Sequence, residues 1–206
     1  MQRIIILVLA FVCIVACENA KNSDKNNPSK NTSTTKNTIT TIEAVKLATD
    51  QQQFLSTTIA YFKKCKADAK DRNDCRNSIT KMITEFYNIG DFRAKDGGFV
   101  IYDSIQPIVK RSNDWMQLGS ANNQEVLNKA QQAANDGKAT LAIDISQTYG
   151  QIAMIIPGKL TTSGTWKLQV PNAAALVNYD ASKSFMDKSL SYAFKSTENI
   201  IIFTKK

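Results

Sequence analysis

The sequence predicts an α+β domain in which N-terminal helices pack on an antiparallel sheet. Two observations support this class. Apolar residues recur at helical spacing in segments between about residues 43 and 135, and from residue 139 onward they alternate with a period of two. Helices followed along the chain by strands are typical of an α+β fold with an antiparallel sheet.

The first sixteen residues are expected to be a lipoprotein signal peptide. A short basic start precedes the apolar run Ile4–Val15, which suits a signal-peptide core and is too short to span a bilayer comfortably. Val15-Ala16-Cys17 resembles the bacterial lipobox, which implies that Cys17 is lipidated and becomes the first mature residue. An ordinary secretory signal with a chance cysteine is the alternative.

Residues 17–38 are expected to be a flexible tether between the lipid and the domain. Beyond Cys17 this segment is almost wholly Asn, Ser, Thr and Lys, with too little apolar surface to offset the entropy of ordering it. Residues 39–206 then form the domain. Glu18 follows the lipidated cysteine where the common inner-membrane retention signal has Asp, so we expect anchoring at the periplasmic face of the outer membrane.

The order of elements follows from the apolar spacing. A Thr40-x-x-Glu43 capping-box pattern starts the first helix, and Pro107 interrupts a weaker segment between the second and third. The predicted helices cover about residues 43–64, 75–87 and 124–135, with a short fourth at 184–194. The predicted strands cover residues 139–145, 151–156, 166–170 and 199–203, and the first two form a hairpin.

The net charge of +8 does not indicate nucleic-acid binding. The Lys and Arg residues are scattered, and no run combines them with aromatic residues in a recognition motif. A basic surface on an exported chain instead favours mild attraction to anionic wall polymers or lipid headgroups. No phosphate loop, CxxC pair or calcium-loop spacing is present, so neither a metal nor a cofactor is expected.

Two motifs resemble the papain-like peptidoglycan amidases and endopeptidases of the NlpC and CHAP type. Cys75-Arg-Asn-Ser-Ile-Thr-Lys-Met-Ile is similar to the start of the family's catalytic helix, with Ser78 where the family has an aromatic residue. Gly150-Gln-Ile-Ala-Met-Ile-Ile-Pro-Gly158 is similar to the family's histidine strand. The resemblance covers about residues 74–206 and implies a papain-like architecture, with Cys75 and Gln151 at the positions of the nucleophile and the base.

The sequence differs from that family at the position of the catalytic histidine. Gln151 occupies it, and the chain contains no histidine at all. A cysteine thiol has a pKa of about 8.5 and needs a neighbouring base to form the thiolate, whereas glutamine cannot accept a proton near neutral pH. Asp144, Asp180 and Lys159 are conceivable replacement bases, although no motif spacing singles one out.

The remaining cysteine pair also argues against catalysis. Cys65 and Cys75 are ten residues apart, and an isolated pair in an oxidising compartment is most simply a disulfide. The bond would block the residue at the nucleophile position. Free or redox-active thiols are the alternative.

Three functions follow from these observations. The first is a catalytically inactive papain-like domain that binds peptidoglycan peptides or a periplasmic protein, with Tyr149, Gln151 and Trp166 as candidate binding residues. The second is a cysteine hydrolase with an unusual dyad. The third is an inhibitor or immunity-type interaction protein of the periplasm.

Lipidation is testable by labelling. Labelled palmitate should enter the wild-type protein and should be absent from Cys17→Ser, because that variant lacks the thiol that is acylated. The variant should accumulate as an uncleaved precursor on immunoblots, and the same label in both proteins would disprove the lipoprotein assignment.

Overall fold

The computed structural model describes residues 42–71, 75–147 and 150–206. The expected signal peptide and linker, including Cys17, lie outside the described residues. None of the described helices is both long enough and apolar enough to cross a membrane.

Six strands form one antiparallel sheet: β1 (Trp115–Ser120), β2 (Thr140–Asp144), β3 (Ile152–Ile155), β6 (Asn172–Ala175), β7 (Phe185–Ser189) and β8 (Ile200–Lys205). Their order across the sheet is β1-β8-β2-β3-β6-β7. The strands β4 (Thr161–Thr162) and β5 (Gln169–Val170) pair separately as a two-stranded ribbon. The C-terminal strand therefore lies inside the sheet, between β1 and β2.

Four α-helices surround the sheet: α1 (Thr49–Asp68), α2 (Ser78–Tyr87), α3 (Ile105–Arg111) and α4 (Gln124–Asn135). Short 3-10 turns occur at Tyr102–Ser104, Ala181–Lys183 and Leu190–Tyr192. The predicted α+β class with an antiparallel sheet is confirmed.

Both faces of the sheet are buried, each in its own core. Leu141 and Ile143 of β2 belong to a cluster that includes residues of α1, α2 and α3. Ala142, between them, belongs to a second cluster with Leu127 and Ala130 of α4. Alternation along a strand directs successive side chains to opposite faces, which places α1–α3 on one side and α4 on the other.

The first helix begins later than its capping-box pattern predicts. Residues 42–48 are non-helical, and α1 starts at Thr49. The Asn135 side chain donates a 2.8 Å hydrogen bond to the Glu43 carbonyl, and the Val45 amide approaches the Gly158 carbonyl at 3.4 Å. These contacts with other parts of the chain use backbone groups that a helix would need.

For the other helices, the sequence signals predicted some of the end positions correctly and others not. α2 begins at Ser78, so Cys75 does not open it. α4 has the predicted bounds, with Asn123 rather than Asn122 as the residue whose side chain caps it. Pro107 is tolerated because it lies in the first turn of α3, where no intrahelical amide donor is needed.

The predicted helix at 184–194 is wrong. Residues 185–189 form strand β7, in which Phe185 pairs with Ala175 and Ser189 with Asn172. Pairing with β6 stabilises the strand through inter-strand hydrogen bonds, and the local helical spacing of apolar residues does not predict that pairing. The predicted strand at 166–170 is shortened to Gln169–Val170, whereas the hairpin of β2 and β3 and the terminal strand β8 are confirmed.

A buried amide network, which the sequence did not reveal, joins α4 to the sheet. The Gln131 side chain is fully buried and accepts a 2.7 Å hydrogen bond from the Asn172 amide. Its NH2 group donates to the Ile156 carbonyl at 3.1 Å and to Asn135 Oδ1 at 2.9 Å. The Asn172 side chain donates in turn to the Pro157 carbonyl at 2.9 Å.

Gly158 fits against this network only because it lacks a side chain. A Cβ atom there would lie 2.5 Å from the Asn172 side chain. The Pro157-Gly158 turn is therefore fixed by close packing as well as by hydrogen bonds.

Replacing Gln131 by leucine should lower the free energy of unfolding by about 2 to 4 kcal/mol, because the Asn172 amide and the Ile156 carbonyl lose their buried partner. Denaturant unfolding measures this effect. Gln132→Leu is the matched control, since Gln132 is exposed and its side chain bonds the neighbouring Asp136 on the helix surface. Equal effects of the two substitutions would contradict the structural role of Gln131.

Candidate functional site

Cys75 is bonded to Cys65 in a disulfide whose Cα atoms are 6.2 Å apart. Cys65 lies near the C-terminal end of α1, and Cys75 lies in the turn before α2 with a positive φ of 69°. Its sulfur is therefore a half-cystine and not a thiol. In this state, Cys75 cannot act as a nucleophile.

Gln151 lies just before β3, at the loop end of the β2–β3 hairpin. Its side-chain NH2 group donates to the Ile152 carbonyl at 2.9 Å and to the Leu176 carbonyl at 3.2 Å. Because both partners are acceptors, the amide orientation is fixed and Oε1 is the group left for a ligand. Gly150 beside it is required by close approach, since a Cβ there would lie 2.1 Å from the Asp144 carbonyl oxygen.

A cavity of about 770 Å³ lies beside these two elements. We call it the hairpin cavity, and its walls come from the C-terminal part of α1, the start of α2, the 3-10 turn at Tyr102–Ser104, the end of the β2–β3 hairpin and residues 178–179. Its polar lining includes Lys66, Arg76, Asp103, Gln151 and Asn178.

The disulfide places two cations at this cavity. Lys66 follows Cys65 and Arg76 follows Cys75, and both line the wall. The guanidinium of Arg76 forms an ion pair with Asp103, and it lies 5.8 Å from the centre of the Tyr102 ring. The cross-link thus fixes the relative positions of two charged groups that belong to different helical segments.

Two residues that line the cavity carry unpaired acceptors. Asp103 Oδ1 and Asn178 Oδ1 are buried and accept no hydrogen bond within the described part of the chain. Burial of the Tyr102 hydroxyl, and next the charge of Asp103, raise the pKa of that tyrosine, so it stays protonated. A rotation of either side chain toward the cavity would let a ligand N–H donor satisfy its orphaned oxygen.

The other candidate residues are distributed as follows. Asp144 lines the hairpin cavity, and its Oδ1 accepts from the Ser146 amide at 2.9 Å. Asp180 is bonded to Ser182 and Lys183, which lower its pKa. Trp166 packs against the α4 core on the other face of the sheet, and Lys159 is exposed outside the cavity. Tyr149 lies outside the described residues.

Cys75 has no free thiol in this arrangement, and Gln151 has no group that exchanges a proton near neutral pH. The chain has no histidine, and its described residues contain no cluster of acidic and cysteine side chains that could hold a metal ion.

Sequence reasoning missed Asp103 and Asn178, which come from loops far apart in the chain. The sequence did contain a signal that Lys66 and Arg76 lie close together, because each directly follows a cysteine of the predicted pair.

Reduction should destabilise the domain by about 2 to 3 kcal/mol, because it releases a short closed loop and raises the entropy of the unfolded chain. Denaturant unfolding with and without dithiothreitol measures this difference. The Cys65→Ser, Cys75→Ser double variant is the control and should not respond to reductant. Alkylation of both cysteines in unreduced wild-type protein would contradict the cross-link.

The chain matches no protein-family model and no curated protein. The site must therefore be interpreted from its own geometry and chemistry, since a fold class alone does not define an activity.

Proposed function

We propose that this domain binds a short peptide in the hairpin cavity and does not cleave it, as a lipid-anchored protein of the cell envelope. The proposal rests mainly on the state of two residues. Cys75 is a half-cystine, and the side-chain NH2 group of Gln151 is hydrogen-bonded to backbone carbonyls. Neither group at the family's catalytic positions can take part in acyl transfer.

The size and lining of the cavity support a peptide ligand. A volume of about 770 Å³ is within the usual range of ligand pockets and suits a few residues rather than a protein surface. Gln151 Oε1 is an acceptor for peptide N–H groups or for an amine, as are Asp103 Oδ1 and Asn178 Oδ1 once their side chains rotate toward the ligand, and Lys66 and Arg76 are donors. A peptide backbone presents both kinds of group.

Peptidoglycan stem peptides are the ligand class that the motif resemblance favours. They are short and rich in amide groups, and they are abundant in the periplasm where the lipobox-like sequence would place the protein. A segment of a periplasmic protein is the alternative ligand of the cavity, and the same binding experiment detects it.

The purified mature domain should bind soluble stem peptides and release no fragments from intact peptidoglycan. Asn178→Leu should weaken binding about fivefold, because it removes one hydrogen-bond acceptor worth about 1 kcal/mol. Calorimetry gives the affinity, and chromatography of the digest tests cleavage.

The matched control is Asn122→Leu, which changes an exposed asparagine before α4. It should leave the affinity unchanged. Fragment release by the wild type that is lost in Cys75→Ala would establish a hydrolase instead. Failure to bind stem peptides, with capture of one periplasmic protein that Asn178→Leu abolishes, would assign the cavity to a protein partner.

A further inference from the structure

A second cavity of about 470 Å³ adjoins the hairpin cavity. We call it the lysine cavity, because Lys63 and Lys66 of α1 line it. Its other walls come from Ala67 and from residues 178–182. Lys66, Asn178 and Tyr179 line both cavities, so the two spaces share a boundary.

The cations of the lysine cavity lack anionic partners within the described part of the chain. Lys63 and Lys66 are three residues apart on α1 and therefore project from the same side of the helix. The ion pairs of the described residues involve neither of them. Lys66 Nζ lies 5.9 Å from the centre of the Phe62 ring, which leaves its hydrogen-bond donors available.

One acidic residue adjoins the opposite wall in sequence, and its carboxylate is already bonded. Asp180 lies between the wall residues Tyr179 and Ala181, and it bonds Ser182 and Lys183. The positive charge of the lysine cavity is thus not neutralised from that wall. An anionic group entering the cavity would meet two lysines whose positions on α1 are about one helical turn apart, and both ammonium groups can donate charge-assisted hydrogen bonds to a carboxylate.

Tyr179 forms the boundary between the two cavities. Its side chain is 69% exposed, and Lys183 Nζ lies 5.8 Å from the centre of its ring. An extended ligand that passes from one cavity to the other would cover this ring. The ring therefore offers apolar contact between the acceptor-rich wall and the lysines.

From these features we infer that the lysine cavity binds a carboxylate of the same peptide whose N–H groups occupy the hairpin cavity. This inference rests on the proposed function and extends it by specifying the ligand as an acidic peptide with a defined orientation. Donor groups of the peptide face Asp103 and Asn178, and its carboxylate faces Lys63 and Lys66.

The test compares a synthetic stem tripeptide with its analogue in which every carboxylate is amidated. Wild-type protein should bind the acid at least tenfold more tightly than the amide. The Lys63→Gln, Lys66→Gln double variant should bind both peptides with the affinity that the wild type has for the amide. This pattern is a double-mutant cycle between the lysines and the ligand carboxylate.

The charge-matched control is the Lys64→Gln, Lys81→Gln double variant, in which both lysines are exposed and lie outside the two cavities. It should retain the full preference for the acid. Inorganic phosphate at equal ionic strength should not displace the bound acid, because it makes none of the contacts of the hairpin cavity. Displacement by millimolar phosphate would indicate a general anion site and would overturn the inference.

The outcomes separate this inference from the proposed function. Equal binding of acid and amide by the wild type would overturn the carboxylate site and leave peptide binding intact. An unchanged preference in the Lys63→Gln, Lys66→Gln variant would place the carboxylate elsewhere and also overturn it. Absence of binding by both peptides would reject the proposed function together with the inference.

Discussion

The structure depends on one constraint, which is that the central strands are buried on both faces. Each successive side chain of β2, β3 and β8 must therefore fit one of two different cores. In β8, Ile202 packs in the α4 core and Phe203 in the core of α1–α3. A slip of one residue in register would exchange the two sets of side chains, so the pairing is strongly specified.

The two cores differ in the size of the side chains that the sheet supplies. The face toward α4 is rich in alanine, with Ala142, Ala153, Ala173 and Ala175 all buried there. Alanines on the facing side of α4, Ala130 and Ala134, complement it and allow close approach. This approach brings the Gln131 amide within reach of the backbone of neighbouring strands, and the buried network follows from it.

The candidate site lies where this double burial ends. At the loop end of the β2–β3 hairpin, beside the opening of the hairpin cavity, the strands leave the core, and polar side chains such as Asp144 and Gln151 become tolerable there. The Cys65–Cys75 disulfide holds the end of α1 and the start of the α2 segment against that opening. The same bond that withholds a nucleophile therefore builds a wall of the cavity and positions its cations. A cavity with unpaired acceptors is suited to selective binding, because a ligand must supply the missing donors.

Local signals in the sequence determined the elements whose partners are close in the chain. The alternation in residues 139–156 gave the β2–β3 hairpin, and the asparagine and glycine signals around α4 gave its bounds, because turn and cap energies act over a few residues. The alternation also indicated β8 as a buried strand, but its place between β1 and β2 was decided only by pairing across the fold.

Only the tertiary structure decided the elements whose partners are distant. β7 has an apolar spacing that suits a helix, yet its pairing with β6 made it a strand. The capping-box pattern at Thr40 and Glu43 did not start α1, because the segment around Glu43 is bonded to Asn135, ninety-two residues away in the chain. The cysteine pair was predictable from its count and spacing, and Gln151 from its motif. The cavity itself was not, because Asp103 and Asn178 meet these residues only when the sheet and helices are assembled, and no short-range periodicity encodes a contact between distant loops.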